Sequence, residues 1–307
     1  MGSNEKIQRD RTGVNGQENR SGGTSETTVR PKKHRLRHGL LGVVLALVML
    51  MQVPLIRSLV VMKIYSQYHY QGSLLQETGL TLEIPGGLDT RERDWYPNVM
   101  FFSADPSYSQ FRGEPEARMS ILYNIPSFSM AAGCSRLYDP ASPYYNGFYG
   151  AYVVRDSRVG ISPAQGMPSE DYLADLVSFD FFWLVMGDFG LKPEDRVRSF
   201  TVEEREENGS YAGLEGWTKI RSKFIINGMA HNSVPKTRSY LQYGAPNFGE
   251  IKEPFSPVTM EGLLYGRYFP EEEVCVYFYV MAADREAVDA CDQNLLSKST
   301  LKQRERS

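Results

Sequence analysis

His231, Cys275 and Arg285 follow one another as imidazole, thiol and guanidinium. A thiol attacks as its thiolate, and a cationic neighbour lowers its pKa enough to supply one. The local sequence argues against that chemistry: Glu271, Glu272 and Glu273 lie just before Cys275, and carboxylates beside a thiol raise its pKa. Cys275 also opens the apolar run 276–280, where cysteine packs as a small apolar residue. Ser233 and Lys236 have S-x-x-K spacing, which sets Ser and Lys one helical turn apart. Pro235 stands between them, and neither K-T-G nor S-D-N accompanies them. Asp180, between Phe179 and Phe181, is a carboxylate in an apolar stretch. Such a group is a general-acid candidate with a raised pKa, or a paired structural one.

Beyond the first 63 residues the only histidines are His69 and His231, which excludes a His-rich metal site. The three cysteines, Cys134, Cys275 and Cys291, contain no C-x-x-C and read as buried thiols. No P-loop, G-x-G-x-x-G, G-x-S-x-G or H-E-x-x-H is present, and no cofactor is expected. Asn208-Gly209-Ser210 is a glycosylation sequon, of consequence only in a eukaryotic secretory pathway.

The strongest binding signal is aromatic. Tyr138, Tyr144, Tyr145, Phe148, Tyr149 and Tyr152 crowd together with Pro140, Pro143, Gly147 and Gly150. Tyrosine favours interfaces because its ring is apolar and its tip polar. Residues 148–154 alternate as a strand with one face in a core. Tyr144 and Tyr145 precede the regular run and are the expected exposed recognition pair.

The segment that must position all of this is 39–56, an apolar run interrupted only by Gln52. Its 18 residues cover about 27 Å as a helix, close to the hydrocarbon thickness of a bilayer. Arg30, Lys32, Lys33, Arg35 and Arg37 lie just before it, so the positive-inside bias places the N-terminus in the cytoplasm and the C-terminal domain outside. A cleaved signal peptide would have a shorter leading region and a small-residue cleavage site. Residues 1–63 hold 11 Lys and Arg against 4 Asp and Glu, whereas the remainder holds 23 against 33. The acidic remainder argues against nucleic acid as a partner. The basic tail suits anionic lipid.

The expected organisation is a disordered basic cytoplasmic tail over 1–38, a transmembrane signal anchor over 39–62 and a juxtamembrane stalk over 63–78. An extracytoplasmic domain follows over 79–299, holding the whole core, with a flexible tail over 300–307. Alternation predicts strands at 80–84, 99–104, 118–125, 148–155, 196–206, 217–226, 239–243, 258–268 and 274–281. Residues 105–115 read as a loop, and Asn227-Gly228 as a turn. Helices are predicted over 169–187, with Ser169 as N-cap, and over 284–298, where Ala287, Val288, Cys291, Leu295 and Leu296 recur at helical spacing. The fold class is α+β: a single N-terminal transmembrane helix, then a mainly antiparallel sheet flanked by helices.

The opening strand G-L-T-L-E-I-P and the closing strand followed by A-A-D-R-E-A-V-D-A-C-D-Q-N-L-L-S resemble the PsbP-like αβα sandwich, related domains of which occur in many bacterial envelope proteins. The resemblance implies an accessory or assembly module without a shared catalytic set. The order anchor, strand-rich outer domain, His, Cys and Arg is also similar to sortase-type cysteine transpeptidases, although the T-L-x-T-C strand of that family is absent. The expected function is therefore a non-enzymatic, single-pass binding or accessory module for an envelope protein or glycan. The alternative is a cell-envelope enzyme, sortase-like or hydrolytic.

Overall fold

The structure, a computed structural model, describes residues 33–50, 54–129, 134–157, 170–187, 191–229 and 255–303. Contacts divide the chain into two units, Met1–Leu47 and Val48–Ser307. The described residues of the first unit all belong to helix α1 (Lys33–Leu50). Its residues from Leu40 onward present their apolar side chains to the outside. The predicted span falls across α1 and helix α2 (Pro54–Tyr70), and residues 51–53 lie outside the described residues. Among the described residues no helix is long and apolar enough to cross a membrane.

The second unit is α+β. After helix α3 (Leu74–Thr78) come strand β1 (Leu80–Glu83), helix α4 (Gly87–Thr90), strand β2 (Met100–Ser103) and helix α5 (Asp105–Arg112). Strand β3 (Arg118–Asn124), the short pair β4 (Phe128–Ser129) and β5 (Cys134–Ser135), and strand β6 (Phe148–Arg155) follow. Helix α6 (Glu170–Ser178) continues into a π-helical segment, Phe179–Met186. Strands β7 (Ser199–Tyr211), β8 (Leu214–Asn227), β9 (Pro257–Phe269) and β10 (Val274–Ala282), helix α7 (Arg285–Asn294) and strand β11 (Thr300–Gln303) complete it. Seven strands form one antiparallel sheet in the order β2-β3-β6-β10-β9-β8-β7.

Both faces of this sheet are covered, which explains why its central strands read as continuous apolar runs. With a side-chain period of two, β10 sends Cys275, Tyr277, Tyr279 and Met281 to one core and Val274, Val276, Phe278 and Val280 to the other. The first core is covered by α2, α5, α6 and the π segment. The second is covered by α3 and by α7, whose Ala287, Val288 and Cys291 point inward. Asp284 caps α7, accepting from the Glu286 and Ala287 amides at 2.8 and 3.1 Å.

Several expectations are corrected. The segment 63–78 is not a stalk. Leu74 and Leu75 are buried in the core, and so is Met62, which corrects the end of the anchor expected over 39–62: the domain already begins within it. The Phe101 amide donates to Ser66 Oγ at 2.9 Å, and Tyr65 stacks on Phe102. The Leu75 amide donates to Ser120 Oγ, and Arg118 ties Glu77 and the Gly72 carbonyl to Asp105. Short polar residues between the apolar ones hid this amphipathic packing. Residues 300–303 are not a flexible tail but strand β11, paired with β1, so the two ends of the domain close on each other. Residues 105–112 form α5 rather than a loop, because Pro106 fits a helical first turn and Gly113, at φ 67°, supplies the left-handed stop.

The β7–β8 turn falls at Ala212-Gly213, both at positive φ, and Asn208 lies at a bulge inside β7. Asn227-Gly228 is a junction and not a hairpin turn. The Asn227 side chain accepts from the Val197 amide and donates to the Asp195 and Phe255 carbonyls. The expected strand 239–243 lies outside the described residues.

One prediction follows from the buried entry helices. A chain starting at Gln76 loses the side chains of Met62, Leu74 and Leu75 from the core. At about 2–5 kcal/mol for each large apolar side chain removed, that rivals the whole stability of a domain. Such a chain is expected to lose cooperative thermal unfolding, whereas one starting at Pro54 retains it. Equal melting of the two would show that α2 and α3 are dispensable.

Candidate functional site

A cleft of about 420 Å³ opens where three neighbouring strands end. Register sets its floor: Val154 of β6 pairs with Cys275 of β10, which pairs with Tyr268 of β9. Helix α6 supplies Tyr172 as a wall. Arg155 and Asp156 come from the end of β6, and Glu116 and Glu273 stand exposed at the rim. Glu273 takes φ 54° in the β9–β10 turn, which fixes where its side chain leaves the backbone.

The Asp156 side chain is closed off from solvent and ion-paired with Arg112 Nε at 2.8 Å. The hydroxyls of Tyr108 and Tyr172, 2.9 Å apart, reach it at 3.2 and 3.4 Å. Arg112 also lies 5.2 Å over the Tyr172 ring and bonds Asp175 at 3.3 Å. Burial pushes both tyrosine hydroxyls far above their usual range, so they stay protonated donors. The network fixes Tyr172 and uses up the charge of Asp156 on Arg112. What the cleft offers a ligand is then two carboxylates, Glu116 and Glu273, one guanidinium, Arg155, and the half-buried ring of Tyr268, Tyr172 being buried behind them. Arg155 itself donates to the Glu272 carbonyl at 3.1 Å and lies 3.9 Å from the Glu77 carboxylate.

Cys275 lies on this floor but is buried, and burial pushes its thiol up to about 12. The cause is desolvation first, with Asp156 adding to it. The adjacent glutamates, expected to raise it, are not among the causes. The sequence set His231, Cys275, Arg285 is not brought together. Cys275 is the second residue of β10 and Arg285 lies beyond its other end, about 23 Å or more away along the strand. Arg285 is engaged there with Glu203 and Glu204. His231 and the Ser233–Lys236 motif lie outside the described residues.

Tyr144 and Tyr145 do not form an exposed pair. Tyr145 is buried, its hydroxyl set so close over Gly228 that a Cβ there would come within 2.1 Å of it. Tyr144 is half-buried, edge-on to Trp95 and donating to Asp94 at 3.1 Å, with its hydroxyl pushed up to about 12 by burial and by Asp94. Tyr138, Phe148, Tyr149 and Tyr152 are buried as well. The aromatic crowd belongs to the core because β6 is covered on both faces.

Asp180 is the second chemically marked group. It sits in the π segment and accepts from the Tyr152 hydroxyl at 2.5 Å. Tyr152 stacks on Tyr279 with ring centres 4.2 Å apart. Desolvation pushes the Asp180 carboxyl up to about 6, and the Tyr152 hydrogen bond opposes it. No second acid, nucleophile or cation stands with Asp180 in these contacts, and it reads as a half-buried structural carboxylate.

The cleft residues escaped the sequence reading because they come from five separate segments. The one local signal is Arg155-Asp156, a charged pair directly after an apolar strand. Comparison with protein-family models, with curated proteins and with solved structures finds no match for this chain.

Proposed function

We propose that this chain is a single-pass, membrane-anchored binding or accessory module whose extracytoplasmic domain holds a segment of an envelope glycan in the cleft beside Tyr172. The observation that carries this reading is the composition of the cleft. Carboxylates accept from hydroxyls, a guanidinium donates to ring and hydroxyl oxygens, and the half-buried ring of Tyr268 offers an apolar face to a sugar ring, while Tyr172, buried under Arg112, shapes the wall. With Asp156 neutralised by Arg112, the remaining charge is small, which suits a neutral or amino-bearing saccharide better than a polyanion.

The anchor and its orientation rest on the sequence: the apolar run, the basic residues before it and the acidic domain after it. Exposed Leu41, Val43, Leu45 and Leu47 on α1 support a lipid-facing helix. The accessory role implied by the PsbP-like resemblance belongs to the same reading. The transpeptidase alternative gains no support, since Cys275 is a buried, protonated thiol far from Arg285.

The test is titration of the full chain in nanodiscs with soluble envelope oligosaccharides, followed by tyrosine fluorescence. Glu116→Gln with Glu273→Gln is expected to weaken binding about tenfold without lowering Tm, because both carboxylates are exposed. Equal binding by the double variant, or no saccharide binding by the wild type, overturns the reading.

A further inference from the structure

We infer that the outer face of helix α2 lies against the bilayer surface, so that the domain is held directly on the membrane with no spacer. The inference rests on the anchor reading above and extends it. Helix α2 belongs to the domain: Met62 is buried in the core, Leu59 packs against it and Ser66 accepts the Phe101 amide. The same helix begins only four residues after Leu50, the end of α1. A domain whose own helix starts at Pro54, before the apolar run ends at Ile56, has no length of chain in which to stand away from the bilayer.

The exposed side of α2 has the chemistry that such a position requires. Val60, Ile64 and Tyr68, at successive spacings of four, share one face and are 41, 63 and 75 % exposed. Lys63 and Arg57 are exposed among them, and α2 contains no Asp or Glu. The domain beyond is acidic, so a basic, apolar, tyrosine-tipped stripe is complementary to an anionic lipid surface and unlike the rest of the molecule. The packed side of α2 lies on β2, one edge of the sheet. The β7–β8 hairpin is the other edge, so Glu215 near its tip is a remote control.

The experiment uses the full chain with Cys134→Ser, Cys275 and Cys291 being buried, reconstituted in vesicles containing a quarter phosphatidylglycerol. A fluorophore is placed by Ile64→Cys, Tyr68→Cys or Glu215→Cys, all exposed positions, and quenched by brominated lipid. Quenching at 64 and 68 is expected to be at least threefold stronger than at 215, and Lys63→Glu is expected to halve it. If the protein floats with the vesicles but 64 and 68 are quenched no more than 215, the docking fails while the anchor stands. Failure to float overturns both. Pyrene excimer emission from label at 64 that persists with detergent in place of lipid would mean that a second copy covers this face, and the lipid assignment falls.

Discussion

Asp180→Asn is expected to stabilise the protein at pH 7 by about 1–3 kcal/mol. The carboxyl is pushed from an ordinary 3.8 up to about 6 in the folded chain, by desolvation. Its folded pKa lies above its unfolded one, so between those values the native state holds more proton than the unfolded state. Stability therefore falls as pH rises through that window, and the full penalty is present above about pH 7. Asparagine keeps an oxygen for the Tyr152 hydroxyl but adds an amide that needs its own partner, so part of the gain is lost. For a domain of this size each kcal/mol moves Tm by about 2–4 °C. Melting curves at pH 4, 6 and 8 check it: the gain should be clear at pH 8 and nearly absent at pH 4. Tyr152→Phe removes the bond that opposes the shift, so the falling limb should extend to higher pH. A gain of equal size at pH 4 and 8 would show that charge burial is not the cause.

Gly150→Ala is expected to destabilise the fold by about 4 kcal/mol or more. Gly150 sits mid-strand in β6, between Tyr123 of β3 and Tyr279 of β10. A Cβ built there would lie 1.9 Å from the Leu122 carbonyl oxygen and 2.8 Å from the Tyr123 Cα. These are backbone atoms of a paired central strand, so relief requires β3 and β6 to separate. Gly209→Ala is the matched control within β7, where the nearest atom would be the Trp217 carbonyl at 3.6 Å. It is expected to change stability by less than about 1 kcal/mol. Denaturant titration of both variants decides the matter. A Gly150→Ala protein as stable as the control would mean that the sheet yields at β3–β6 far more easily than its pairing indicates.

These two substitutions show where local sequence carries information and where it stops. The carboxylate between Phe179 and Phe181 was legible as a perturbed acid because burial follows from its neighbours along the chain. That Tyr152 answers it was not legible, since the partner comes from strand β6, 28 positions away. The π winding of Phe179–Met186 was also hidden, because a segment apolar at every position but Asp180 has nearly the same pattern at either helical pitch.

The sequence by itself determined the apolar run, the charge contrast across it, the α+β class, and the position of most sheet strands. Each of these depends on side-chain period or composition within a single segment. Strand β6, at Phe148–Arg155, coincides with its expected bounds for that reason. Only the folded chain shows that Tyr145 is buried and that residues 63–78 pack one side onto the domain instead of forming a stalk. It alone paired β11 with β1, separated Cys275 from Arg285, and joined Glu116, Arg155, Tyr172, Tyr268 and Glu273 around one cleft. The physical reason is the same throughout. An aromatic or a carboxylate takes its role from what covers it. In an antiparallel sheet with layers on both faces, that cover is supplied by strands and helices distant in the chain.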